Sequence, residues 1–362
     1  MKKNGKVEVL RFLFCICIIF YHTGRILEIP FQMDIGDISV NFFAHGSIGV
    51  EFFFLVSGYF MAARAFKRQA EGSCDLGRET FDFMKHKFWG IFPFHLVAFI
   101  ILFILSAVMG RWGVIEFVDC LIKSIPSLLF IQKFGYNFYN LNSVEWYISA
   151  MFIALLVLYP LCRRFYSMFV MVIAPFLGLY LSGMLLFKYD SMTGASRWVN
   201  GMGFACVLRA FAIISLGACV FEMARHLKEK EFGMNARAAL TAAEVVGYVL
   251  VFIYAVREMP MYYEGCCVLI LVGCLTLTFG GQTFGFSLFN RGWAYFLGKA
   301  SLPLYLNQLA AIKIIRKYGR HFSLKLQIVM ILLLAFLFSA VTYAVGRKIL
   351  SAGRPADGTE KK

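Results

Sequence analysis

Long apolar runs of roughly 20 residues recur along the chain, and most of the charge lies in the short stretches between them. A helix needs ~20 mostly apolar residues to cross the hydrocarbon core of a bilayer. On that criterion the pattern predicts about ten spans, near residues 8–25, 41–63, 87–109, 143–162, 166–187, 203–224, 238–256, 262–280, 293–314 and 326–346. The stretch 114–131 is interrupted by Glu116, Asp119 and Lys123, and suits an interfacial or re-entrant helix better than a span.

Composition agrees with this pattern. Hydrophobic residues make up 60% of the chain and charged residues 16%, and the mean hydropathy is +0.71. An ordinary soluble domain is about 45–50% apolar and about 25% charged. The fold class expected is all-α: a polytopic integral membrane bundle over residues 1–350, with a flexible cytoplasmic tail over 351–362. The formal charge of +15 does not call for nucleic acid, because Lys and Arg gather in loops beside apolar segments, as the positive-inside rule expects. Such clusters precede the first span (Lys2, Lys3, Lys6) and recur at every second loop, through Arg64–Lys87, Arg163–Arg164, Arg225–Arg237 and Arg347–Lys348. Both termini are therefore expected in the cytoplasm. The charged start resembles that of a signal peptide, but no small-residue cleavage site follows, so it is read as a retained first span. One loop breaks the rule: Lys313, Arg316, Lys317, Arg320 and Lys325 fall on the outer side. Either the span count slips there, or those cations meet an anionic ligand or surface. The ten Cys lie mostly inside apolar runs and do not form a disulfide framework or a metal-ligand set.

Five stretches carry candidate chemistry. In the first span, Arg11 and His22 stand eleven residues apart, about 16 Å along the axis and close to one face. A cation within a membrane helix costs ~2.5–3.5 kcal/mol on insertion scales and usually faces a bundle interior. The plainer alternative is that Arg11 snorkels to the interface while His22 marks the helix end. The second stretch, Gly49-Val-Glu-Phe-Phe-Phe-Leu-Val-Ser-Gly-Tyr-Phe, places Glu51 near one end and Ser57-Gly58 deeper, where Gly58 also suits close helix packing. The third, Lys85-His-Lys-Phe-Trp-Gly-Ile-Phe-Pro, sets cations at the start of a span. The fourth is Asn142-Ser-Val-Glu-Trp-Tyr-Ile-Ser. The fifth is Ser301-Leu-Pro-Leu-Tyr-Leu-Asn-Gln, where Pro303 disturbs a helix that also holds Tyr305, Asn307 and Gln308.

Together these stretches resemble the membrane-bound acyltransferase-3 family, which includes O-acetyltransferases of cell-surface polysaccharides. The resemblance rests on Arg11 and His22; on Gly49, Val50, Glu51, Phe53, Phe54, Ser57, Gly58 and Tyr59; on Lys87 and Phe92-Pro93; on Trp146, Tyr147, Ile148 and Pro160; and on Ser301, Leu304, Tyr305 and Leu306. Two positions depart from the pattern: Gly90 stands where a second basic residue is expected, and Gln308 where a His is common. The resemblance implies transfer of an acyl group, most often acetyl, from cytoplasmic acyl-CoA to a hydroxyl of an exported or lipid-linked glycan. It places the protein in a cell membrane, expected to be a bacterial plasma membrane. It implies no permanently bound cofactor and no metal; acyl-CoA is a substrate. Within that reading His22 is the candidate general base, with Glu51 holding its tautomer. Arg11 holds a phosphate of the donor or its pantetheine carbonyl region, Lys85 and Lys87 reinforce that anion site, and Ser57, Trp146 and Tyr305 line the acyl or sugar pocket. Rival readings are a transporter or flippase of glycan or lipid, and a membrane sensor that has lost catalysis.

Overall fold

In the computed structural model, the described residues are 3–352 apart from 29–31, 36–37, 42, 70–71, 73–74, 136–138, 195–196 and 200–201. The expected tail lies almost wholly outside them; Ser351 and Ala352 complete the last helix.

The side chain of Asn4 starts α1 (Gly5–Leu27) by accepting from the free N–H groups of Lys6 and Val7. A short antiparallel hairpin, β1 (Gln32–Ile35) with β2 (Ile38–Asn41), leads to α2 (Ile48–Gln69). This helix starts later than the apolar run and continues through Arg64, Lys67 and Arg68. Asp75 caps α3 (Leu76–Gly110), whose 35 residues measure about 52 Å. That exceeds the ~30 Å hydrocarbon core, so the first turns of α3 project beyond it and carry the basic stretch at the membrane boundary. The amphipathic α4 (Val114–Leu128) lies mostly exposed, as the interfacial reading expected. There follow α5 (Trp146–Arg164), the short α6 (Tyr166–Met168), a π-helical turn at Phe169–Ile173 and α7 (Ala174–Tyr189). A second small hairpin, β3 (Trp198–Val199) with β4 (Gly203–Phe204), precedes α8 (Ala205–Lys228). The chain continues through α9 (Met234–Val256), α10 (Tyr263–Gly280), the single turn α11 (Phe286–Phe289), α12 (Gly292–Tyr318) and α13 (Leu324–Ala352).

Among the described residues nine helices are long and apolar enough to cross a membrane. The tenth expected span is α12. It is 27 residues long, but its charged and amide residues keep it out of that set. The physical reason is its position: Ser301, Asn307 and Gln308 of α12 are all buried among neighbouring helices, where protein rather than lipid answers their polarity. The protein is thus an all-α, multi-pass membrane bundle.

Two glycines set the tightest crossing. A Cβ on Gly58 would lie 2.0 Å from the Ile214 carbonyl oxygen, and one on Gly217 would lie 2.2 Å from that of Leu55. The backbones of α2 and α8 therefore touch, which only Gly permits.

Three helices run in the same direction around the candidate chemistry. Along α1 and α12, Glu8 abuts Gly298, the Cys15 thiol donates to the Ser301 carbonyl at 3.2 Å, His22 meets Gln308, and Glu28 pairs with Arg316 at 3.6 Å. Lys317 near the end of α12 donates to the carbonyl of Met109 near the end of α3. The bundle therefore has a near end, where α1, α3 and α12 begin, and a far end, where they finish.

Candidate functional site

His22 lies near the far end of α1 and is half-buried. Its Nδ1 is 3.0 Å from Oε1 of Gln308, and Nε2 of Gln308 donates to the Tyr305 carbonyl at 2.9 Å. With the amide so fixed, Oε1 can only accept, so Nδ1 carries the proton and the Nε2 lone pair of His22 is free. The position where sequence reasoning found a departure from the family pattern therefore orients the candidate base.

Glu51 does not take that role. It is fully buried against the guanidinium of Arg209, which also lies 3.7 Å from Glu264. Glu264 in turn accepts from the Ser191 hydroxyl and the Met192 N–H. The physical reason is facial: Glu51 points from α2 toward α8 and α10, whereas His22 points from α1 toward α12. Glu51 belongs to an ion cluster that ties three helices together. Arg209 was missed because one arginine in an apolar run gives no sign of its partners. Trp146 belongs to the same cluster, with the Arg209 guanidinium 5.6 Å from its ring centroid. Its ring packs against that cation.

At the near end a cavity of about 620 Å³ is lined by Ser57, Phe60, Met61, Arg64, Lys67, Phe83, His86 and Lys87, among others. Ser57 and Lys87 of the expected set meet here. Lys85 does not line it and is exposed. Residues two apart on a helix point about 200° apart, so Lys85 and Lys87 cannot serve one cavity. Arg64 and Lys67 were legible only as loop charge, but α2 runs on past its apolar run and brings them to the cavity wall. They supply the cations that Gly90, beside open space, does not. Arg11 is half-buried on α1, 3.5 Å from Glu8, and within electrostatic reach of Lys87 and Tyr147. It faces the interior next to this cavity without lining it.

Tyr305 is buried between these features. Its hydroxyl donates to the Val144 carbonyl, and its ring meets that of Tyr147 edge-on at 4.8 Å. Behind it lies a pair that sequence reasoning did not single out. Nδ1 of His95 sits 3.0 Å from Oε1 of Glu145, which also accepts from Asn142 Nδ2 at 2.7 Å; Asn142 Nδ2 reaches the Leu306 carbonyl as well. All three side chains are fully buried. His22 and His95 thus flank one turn of α12, each with Nδ1 engaged. Of the two, only His22 retains any exposure. A His twenty residues into a long helix, fifty positions from its carboxylate, offers no local spacing signal.

A further cavity of about 520 Å³ lies between α1 and α9. Its polar groups already answer one another: Lys6 Nζ is 2.7 Å from Glu244 and 2.9 Å from Thr283. Exposed Leu13, Val245 and Val249 complete its rim. It is a groove on the outside of the bundle, away from His22.

The family model of the acyltransferase domain, acyltransferase-3, matches residues 4–345. The chain belongs to the acyltransferase-3 family. Comparison with curated proteins and with solved structures gave no match. Family membership makes this multi-pass membrane protein an acyltransferase, and the arrangement of imidazole and cations is to be read in that light.

Proposed function

We propose that the protein transfers an acyl group, acetyl in the first instance, from acyl-CoA to a hydroxyl of a cell-surface or exported glycan. The near end with both termini faces the cytoplasm of a bacterial cell in this reading. One observation carries it: a half-buried imidazole with Nδ1 held and Nε2 free stands between a basic cavity at the near end and the opposite end of the bundle.

The chemistry follows from the residues. Arg64, Lys67 and Lys87 offer cations to the phosphates of the donor, Arg as a fork and Lys as point charges. Arg11 lies along α1 between that cavity and His22, and the donor's pantetheine arm spans the about 16 Å that separates Arg11 from His22. A sugar hydroxyl is a poor nucleophile, and a positioned base speeds its attack by roughly 10²–10⁴-fold. Nε2 of His22 takes the hydroxyl proton as the oxygen attacks the thioester carbonyl. The C–O bond forms, the C–S bond breaks, and the imidazolium returns its proton to the departing thiolate. The products are the acyl ester and free CoA thiol. Gln308 supplies the orientation that a carboxylate gives in other such dyads.

The test is release of thiol from labelled acyl-CoA by the purified full chain in lipid nanodiscs. His22→Ala abolishes release while membrane abundance is unchanged, and Arg11→Ala raises the KM for acyl-CoA. Full activity of His22→Ala removes His22 from the mechanism. No release by the wild-type chain with any acyl-CoA favours a transporter or flippase.

A further inference from the structure

The last turns of α12 carry Lys313, Arg316 and Lys317 at the spacing i, i+3, i+4, which puts these three on one face, and Arg320 follows in the turn just past the helix end. They line a cavity of about 390 Å³ at the far end of the bundle, opposite the Lys87 cavity. Like charges at that spacing oppose one another. Among the described residues a single carboxylate answers them, the exposed Glu28 at 3.6 Å from Arg316. Lys317 spends one N–H on the Met109 carbonyl, and Lys313 and Arg320 have no hydrogen-bond or ion-pair partner among the described residues. The charge cannot be a loop anchor of the ordinary kind, because it sits at the end away from the other basic loops.

We propose that this cavity binds the phosphate or diphosphate head of a membrane-anchored acceptor. The inference rests on the acyl-transfer reading and names the acceptor class for it. The lining residues are all cations, with no aromatic face for a sugar ring and no apolar side chain beyond their own aliphatic stems. A compact multivalent anion fits such a lining. Arg316 near the end of α12 and Arg320 just past it offer two guanidinium forks, a match to phosphate oxygens, and the two lysines add point charges. The cavity lies level with the far ends of α1, α3 and α12, where the head group of a membrane-anchored molecule would stand. The same helix carries Gln308, five residues before Lys313, about 7.5 Å along the axis. One rigid element therefore fixes the spacing between the anion site and the base that Gln308 orients.

The experiment uses the full chain in phosphatidylcholine nanodiscs and radiolabelled farnesyl diphosphate, with empty nanodiscs subtracted. Farnesol serves as the uncharged control, and phosphatidylglycerol as the competing ordinary anionic lipid. Saturable binding of the diphosphate and none of farnesol is expected. R316Q/R320Q weakens binding by about 100-fold or more, the scale of two lost charge-assisted bonds, and R316K/R320K by less. K313Q gives a second reading should the double variant fail to fold. Wild-type affinity in K313Q and R316Q/R320Q overturns the proposal. So does full displacement by an equimolar amount of phosphatidylglycerol, which reduces the cavity to a site for bulk lipid. Thiol release from acyl-CoA is followed in the same preparations. Diphosphate binding without any thiol release sinks the acyl-transfer reading and leaves the anion site standing; thiol release without diphosphate binding sinks the site alone.

Discussion

Gln308→Leu tests the orientation of the base most directly. The substitution keeps the volume of a fully buried side chain and removes one hydrogen bond to Nδ1 of His22, now 3.0 Å long. Nδ1–H is then left without an acceptor, at a cost of ~1–3 kcal/mol. The ring escapes that cost by turning or by moving its proton to Nε2, and both routes take the lone pair away from the acceptor hydroxyl. If the whole cost falls on the reactive arrangement, kcat drops by about 5- to 150-fold. The KM for acyl-CoA stays level, because the basic cavity lies at the other end of the bundle. Thiol release in nanodiscs over a range of acyl-CoA concentrations reads both constants. The double variant His22→Ala/Gln308→Leu should be no slower than His22→Ala, since Gln308 acts only through the imidazole. A wild-type kcat in Gln308→Leu, or losses that multiply in the double variant, would refute the reasoning.

Lys87→Ala should raise the KM for acyl-CoA about tenfold, the worth of one charge-assisted contact, whereas Lys85→Ala on the opposite face of α3 should leave it unchanged; equal effects would show that the cavity is not the donor site. Arg209→Gln strands Glu51 and Glu264 in the interior, and breaking a buried pair typically costs 3–5 kcal/mol; the midpoint of thermal unfolding in detergent should fall clearly, and an unmoved midpoint would contradict the cluster's structural role. Gly58→Val drives a side chain into the Ile214 carbonyl and should abolish recovery of monodisperse protein, while Gly90→Ala, with no atom within 4 Å of its Cβ, should behave as wild type in the same size-exclusion assay.

The chain itself determined the class of fold, because roughly 20-residue apolar runs have one stable use in a bilayer, as helices that satisfy their own backbone. It also determined the axial order of the first helix: Arg11 toward one end and His22 toward the other follow from helical rise alone. The amphipathic character of α4 and the anomalous cations of α12 were equally legible, since both are local patterns. What the chain did not determine is which face meets which. Glu51 and His22 stand at compatible depths in their helices, yet the crossing of α2 with α8 turns Glu51 to Arg209 and leaves His22 to Gln308. His95 and Glu145 meet across fifty positions, and Arg64 and Lys67 reach the Lys87 cavity only because α2 extends past its apolar run. Pairing between helices depends on rotation about each axis and on close contacts such as Gly58 with Gly217. Those are settled by packing over the whole bundle, so only the tertiary structure could decide them.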